Sequence, residues 1–268
     1  MRTGIIHIGA HKTGSTSIQA SLEKSKDLLR SHGILYFDEY DRSVQLLSMG
    51  FRNRREASPA RKGTYQSISE MRSASYSSWI DLHRKVKREN ISYTVISEEF
   101  LLRLQNTDQL KRILDQIFDR VFIVVYVRDP AKRMPSSVDQ RIRGGATVEE
   151  LIGSRSGLPK LLPKLERYAT TFGENNLIVR NFDNRNLKNG SPVSDFAHIL
   201  STIVGIDVEL SDAGHKNPRM PASVTSFLLS QNKTRFLAGK PKDTSFLRNR
   251  MRFVEAIRKD ASLMSGEK

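Results

Sequence analysis

Short apolar runs bounded by glycine or polar residues alternate along this chain with longer stretches in which apolar positions recur every three or four residues. The runs at 4–8 (GIIHI), 34–37 (ILYF), 93–97 (YTVIS), 121–127 (VFIVVYV) and 177–180 (LIVR) read as strands. The periodic stretches predict helices over 15–31, 76–89, 108–118, 131–143, 160–172 and 192–204. VFIVVYV is apolar throughout and rich in β-branched residues, as suits a central strand buried on both faces of a parallel sheet. This alternation predicts an α/β protein, a mainly parallel sheet covered by helices on both faces in three layers. Such sheets bind ligands beyond the carboxyl ends of their strands. The part from 205 to 268 reads as mostly helical and is expected to pack on the sheet, so residues 1–268 read as a single domain without internal repeats.

Charge alters this picture in two places. The stretch 41–75 is rich in Ser, Arg and Gly with little periodicity, and carries Arg42, Arg52, Arg54, Arg55, Arg61, Lys62 and Arg72. It reads either as a lid or acceptor-binding insertion or as a solvated loop. Near the end of the chain Arg248, Arg250, Arg252, Arg258 and Lys259 are interleaved with Phe246, Leu247, Met251, Phe253 and Ile257, the pattern of an amphipathic helix with its apolar residues on the core. The formal net charge is +15. A field of that sign favours anions of every kind, whether nucleotide, acidic glycan, anionic membrane surface or nucleic acid, and does not choose among them. The absence of cysteine excludes disulfides, thiolate catalysis and cysteine-ligated zinc. No run approaches the ~20 apolar residues of a membrane-spanning helix. The first strand begins almost at Met1, which leaves no room for a signal peptide ahead of it, and a cytoplasmic location is expected.

The chemistry concentrates in IIHIGAHKTGSTSIQA (5–20), an apolar strand running through a Gly/Ser/Thr loop into a helix. That arrangement aims loop N–H groups and the positive end of the helix dipole at one point, a cradle for phosphate or sulfate. Gly14 allows close backbone approach, and Ser15, Thr16 and Ser17 supply hydroxyls. Gly9 and Gly14 have the glycine spacing of a nucleotide-triphosphatase P-loop, but Ser15 stands where that motif has lysine, and the lysine is Lys12 inside the loop. This disfavours an ordinary ATPase or kinase. Read blandly, the segment is a strand-turn-helix with an exposed lysine and capping hydroxyls. The run 121–127 ends in Arg128-Asp129-Pro130, where a guanidinium at a strand end can grip a second phosphate. It is also an ordinary helix start with proline early in the first turn.

Lys12-Thr13-Gly14-Ser15-Thr16 resembles the loop of sulfotransferases that use 3′-phosphoadenosine 5′-phosphosulfate (PAPS), and His11 through Gln19 is most similar to a bacterial-type branch of that superfamily. The resemblance runs from residue 4 to about 210, strongest in the loop and at 123–143, weaker at 165–183. It implies the P-loop NTPase-like sulfotransferase fold and transfer of a sulfuryl group from PAPS to a hydroxyl of a carbohydrate or glycolipid. The product would be 3′-phosphoadenosine 5′-phosphate, and no metal is required. It implies cofactor binding by His11, Lys12, Thr13, Gly14, Ser15, Thr16 and Ser17, and a grip on the 3′-phosphate by Arg128 and Ser136, eight positions apart. Pro135 departs from the pattern and can shift the hydroxyl task to Ser137. Lys12 would stabilise charge on the leaving phosphate, and the acceptor's base would be Glu98, with Glu99, Asp38 and Glu39 as competitors. Lys216, Asn217 and Arg219 could reach the nucleotide from a late loop. The region 41–75 matches no pattern of the family and leaves the acceptor open. Alternatives are a P-loop nucleotide-dependent kinase, a nucleic-acid-binding protein, disfavoured by the absence of aromatic RNA-binding signatures, and a non-catalytic relative that keeps the phosphate sites.

Overall fold

The structure is a computed structural model that describes residues 1–10, 12–37, 44–51, 67–129, 138–153, 161–212, 221–240 and 244–259. The chain divides into two compact units, Met1–Arg128 with Lys160–Lys216, and Asp129–Pro159 with Asn217–Lys268.

The first unit is built on five parallel strands: β1 (Thr3–His7), β2 (Ile34–Tyr36), β3 (Tyr93–Ser97), β4 (Arg120–Val127) and β5 (Leu177–Asn181). Their order across the sheet is β2-β3-β1-β4-β5. The chain therefore turns to opposite sides of β1, and the carboxyl end of β1 lies at the crossover point where such sheets open a ligand crevice. In register, His7 lies beside Ser97 of β3 and Val124 of β4.

Residues alternate between the two faces. Ile6, Ile96, Ile123 and Val125 face a core shared with α4 (Ile68–Arg88), α5 (Thr107–Ile117) and α7 (Leu161–Phe172), through Trp79, Leu82, Leu110, Leu114, Tyr168 and Phe172. Ile5, Val95, Val124 and Tyr126 face the opposite way, onto α1 (Ser15–Lys24), α2 (Lys26–Ser31) and α8 (Pro192–Val204). The single helix expected over 15–31 is two: α1 ends at Lys24, and Ser25, at φ −101° and ψ 11°, breaks the helical path before α2 begins. The Ser25 hydroxyl is buried and accepts a hydrogen bond from Ser211 N at 2.8 Å, which ties the break to the segment after α8.

The described parts of 41–75 differ from a structureless insertion. Helix α3 (Val44–Met49) and the first turns of α4 are packed together: the Trp79 indole and the Ser75 hydroxyl both donate to Leu47 O, at 3.1 and 3.2 Å. Leu47, Ser48 and Met49 are buried. The sequence conceals this because serine carries much of the contact, with Ser75 lying under Gly50, where a Cβ would come within 2.8 Å of its Oγ. Six of the basic residues of that stretch, all but Arg72, lie outside the described residues.

The second unit contains a helical segment at 138–143, the end of the helix expected over 131–143, whose earlier residues through 137 lie outside the described residues. It also holds α6 (Val148–Gly153), α9 (Ala222–Leu237) and α10 (Thr244–Lys259). Ile142, Val224, Leu228 and Val254 form its small core. The face of α10 differs from the expectation: Val254 and Arg250 are buried, while Met251 and Phe253 are 73% and 41% exposed. The stripe that turns inward is the i, i+4 row through Arg250 and Val254, and a guanidinium satisfied by carbonyl oxygens takes a place expected for an apolar side chain.

Candidate functional site

The loop after β1 closes on itself before α1 begins. Thr13 is buried and its hydroxyl donates to Ala10 O at 2.6 Å, so this side chain serves the turn. Lys12 and Gly14 both adopt positive φ, 68° and 76°. For lysine this is a costly backbone state, held by the surrounding loop. At Gly14 it is joined by crowding: a Cβ there would lie 2.8 Å from Pro192 Cγ and 3.0 Å from Phe182 Cε2. Pro192 starts α8 and Phe182 follows β5, so two later elements wall the loop.

Helix α1 starts from Gly14 with no side chain capping it and no acidic residue in its first turn. Its positive end is therefore open to an anion. Ser15 is 2% exposed, and its Oγ has no hydrogen-bond partner. A Cβ on Gly9 would lie 2.3 Å from that oxygen, so Gly9 makes the space the hydroxyl occupies. Thr16 is exposed and Ser17 partly buried.

Arg128 follows β4 and reaches this loop. Its Nη1 donates to Lys12 O at 3.3 Å, and its guanidinium lies 5.4 Å from the centroid of the Phe182 ring. Its Nε is buried without a partner. The two segments singled out from sequence thus meet at one place, through residues 116 apart in the chain, each segment with a buried polar atom awaiting a partner. Such orphaned atoms are costly in a closed protein and point to a polar ligand. A hydroxyl and a guanidinium N–H can both donate to an anion.

Beneath the loop lies a residue that the sequence reading passed over. His7 is fully buried at the end of β1, with Nδ1 2.7 Å from Ser97 Oγ and Nε2 without a partner. Its ring sits edge-on to Tyr126, with centroids 5.8 Å apart, and tilted to Phe196 at 5.4 Å. Burial pulls its pKa down to about 4, opposed by the charge of Glu99. Gln19 of α1 donates to Ser97 O at 2.9 Å, linking the same strand end to the helix. The available signal was one polar residue inside an otherwise apolar buried run, IIHIG.

Glu98 lies on the other side of the sheet from His7. Its backbone N donates to His7 O at 2.8 Å, which sets it beside the carboxyl end of β1. Its carboxylate is 1% exposed, takes the Ser48 hydroxyl and accepts from Ser48 N at 3.2 Å. Glu99, which opens a 3-10 turn, is partly exposed. His11, Asp38, Glu39, Ser136, Ser137, Lys216, Asn217 and Arg219 lie outside the described residues.

A buried polar group props the wall of the loop. Asp195 of α8 accepts from Tyr126 OH at 2.9 Å, from Arg180 Nε and Nη2 at 2.9 and 2.5 Å, and from Lys188 N at 3.0 Å. Burial raises the carboxyl pKa, but these donors outweigh it and the net shift is downward. The network fixes the first turn of α8, and with it Pro192, against the sheet.

No family model matches the sequence. No curated protein matches it by sequence. Solved structures do match. A sulfotransferase from Alicyclobacillus acidocaldarius is similar with a TM-score of 0.51 and 17% identity, over 92% of this chain and 99% of that one. The sulfotransferase domain of the Synechococcus PCC 7002 olefin synthase aligns over 93% of this chain and 86% of its own, with 14% identity and a TM-score of 0.43. The five-stranded parallel sheet with helices around it is therefore a fold shared with the Alicyclobacillus acidocaldarius sulfotransferase. Among the described residues no helix is long and apolar enough to cross a membrane.

Proposed function

We propose that this protein is a sulfotransferase that moves a sulfuryl group from PAPS to a hydroxyl of a carbohydrate or glycolipid. The single observation that carries this reading is the meeting of the Lys12–Ser17 loop with Arg128, where Ser15 Oγ and Arg128 Nε are both buried without partners. Two phosphate groups on one nucleotide call for two such grips, and the open start of α1 supplies the positive field for one of them. The charge of +15 is compatible with an anionic donor without singling one out.

In this reading His11, Lys12, Thr13, Gly14, Ser15, Thr16 and Ser17 form the cradle, with Thr13 shaping it, and Arg128 and Ser136 hold the second phosphate. When bound, PAPS supplies the activated sulfuryl group. Lys12 and the loop N–H groups stabilise negative charge on the leaving phosphate, an electrostatic role that needs no metal. Glu98 takes the acceptor's proton; its place beside the end of β1 supports this. The second reading assigns that task to Glu99, favoured by its partial exposure where Glu98 is closed off by Ser48. A base must come within hydrogen-bond reach of the hydroxyl. A cytoplasmic enzyme is the setting we infer.

Calorimetric titration with 3′-phosphoadenosine 5′-phosphate tests the donor. Wild type should bind it without magnesium and more tightly than ATP, and Lys12→Ala and Arg128→Ala should each weaken binding at least tenfold. Preference for Mg-ATP, or indifference to both substitutions, rejects the reading in favour of a nucleotide kinase or another anion partner. Turnover lost in Glu98→Gln but kept in Glu99→Gln, with nucleotide binding intact in both, assigns the base; the reverse pattern selects Glu99.

A further inference from the structure

The second unit holds a cavity of about 520 Å³ between α9 and α10, within the size range of small-molecule sites. Part of its lining is charged. Arg250, 7% exposed, lines it with its guanidinium fixed by neutral oxygens: Nε to Arg143 O at 3.3 Å, and Nη2 to Leu228 O at 3.2 Å and Asn232 Oδ1 at 2.6 Å. Asn232 is itself held, because its amide donates to Ile142 O and Ala146 O at 2.9 and 2.8 Å, so its oxygen can only face the guanidinium. Among the described residues no carboxylate pairs with Arg250. A buried cation ordinarily has a counter-charge, since burial without one disfavours the charged form. Here burial alone acts on Arg250 and lowers its pKa. Arg235 lines the same cavity, its guanidinium 4.0 Å from the centroid of the Phe246 ring.

The lining is also aromatic. The rings of Phe227 and Phe253 lie 6.1 Å apart at a tilt and remain 49% and 41% exposed. No acidic residue lines the cavity among the described residues, and α9 and α10 together carry one carboxylate, Glu255, which lies elsewhere. Two guanidiniums and the phenyl rings of Phe227, Phe246 and Phe253 lining one concave space match a small molecule with an anionic head and a flat apolar body. We propose that this cavity is a binding site for an aromatic monoanion, an aryl sulfate, sulfonate or carboxylate, whose head pairs with Arg250 and Arg235 and whose ring packs on Phe227 and Phe253. The residues lining it are other than those of the loop after β1, and the proposal does not rest on the donor assigned there.

The probe is naphthalene-2-sulfonate, titrated into the full chain by calorimetry, with naphthalene-2-sulfonamide as a neutral analogue of nearly the same shape. The sulfonate should bind at least tenfold more tightly than the sulfonamide. Asn249→Asp, which places a carboxylate on the cavity wall from an exposed position of α10, should weaken the sulfonate at least tenfold while leaving sulfonamide binding within a factor of about two. Should that variant fail to fold by circular dichroism, Gln231→Glu makes the same test from α9. Lys12→Ala and Arg128→Ala should not change sulfonate affinity. Equal affinity for the two probes, indifference to the acidic substitutions, or loss of binding in Lys12→Ala, which would put the sulfonate in the loop after β1, overturns the proposal.

Discussion

His7 offers a quantitative test of how the floor of the loop is built. Its ring is fully buried, bonded to Ser97 Oγ and enclosed by Tyr126 and Phe196, and its pKa is pulled from 6.5 to about 4. Above pH 6.5 the ring is neutral in folded and unfolded chains alike, so it adds no pH dependence. Between 6.5 and about 4 the unfolded chain binds a proton that the folded chain refuses, and stability falls as pH falls. The gap of about two and a half pKa units corresponds to about 3 kcal/mol in full, of which roughly 2 to 3 kcal/mol is lost by pH 4.5. His7→Gln removes the titration while keeping a polar side chain. At pH 7.5 the variant should be less stable by about 1 to 3 kcal/mol, from the lost Ser97 bond and looser packing. At pH 4.5 that deficit should shrink by roughly 2 to 3 kcal/mol and can change sign. Subtracting the variant from the wild type at each pH cancels the carboxylates, which titrate in both. The assay is urea unfolding followed by the fluorescence of Trp79, the single tryptophan, which is buried in the same unit as His7. A wild-type-to-variant gap that stays constant within about 1 kcal/mol from pH 7.5 to 4.5 would refute a neutral, sequestered His7.

Other substitutions probe the remaining supports. Gly9→Ala should weaken 3′-phosphoadenosine 5′-phosphate binding at least tenfold by calorimetry while the circular dichroism spectrum is unchanged, because the new methyl would stand 2.3 Å from Ser15 Oγ and drive that hydroxyl aside. Asp195→Ala strips the acceptor from Tyr126, Arg180 and Lys188 N, and should cost about 3 kcal/mol in urea unfolding, the low end for a broken buried pair because Arg180 is 36% exposed. Ser48→Ala removes a hydroxyl donor from the buried Glu98 carboxylate and should cost roughly 1 to 3 kcal/mol; an unchanged midpoint would show that the bond between α3 and Glu98 contributes little.

The strands of this protein are written locally. Val121 to Val127 forms β4 because a β-branched, wholly apolar run suits only a strand covered on both faces, and YTVIS occupies 93–97 as expected. The loop was equally legible, since glycines, hydroxyls and a lysine between a strand and a helix serve few purposes. The apolar face of α10 was not legible, because periodicity marks which positions share a face and not which neighbour they meet. Arg250 turns inward only because Asn232 and two carbonyls from distant segments await it. Helix α3 was hidden for the same reason, its contacts resting on Ser75, Trp79 and Glu98 rather than on an apolar stripe. The sequence by itself determined the α/β class, the strands and the strand-loop-helix form of the first loop, all set by patterns within a few residues. Only the tertiary structure decided that Arg128 meets Lys12, that Phe182 and Pro192 wall Gly14, and that His7 lies beneath them, because each joins segments whose approach is fixed by strand order across the sheet.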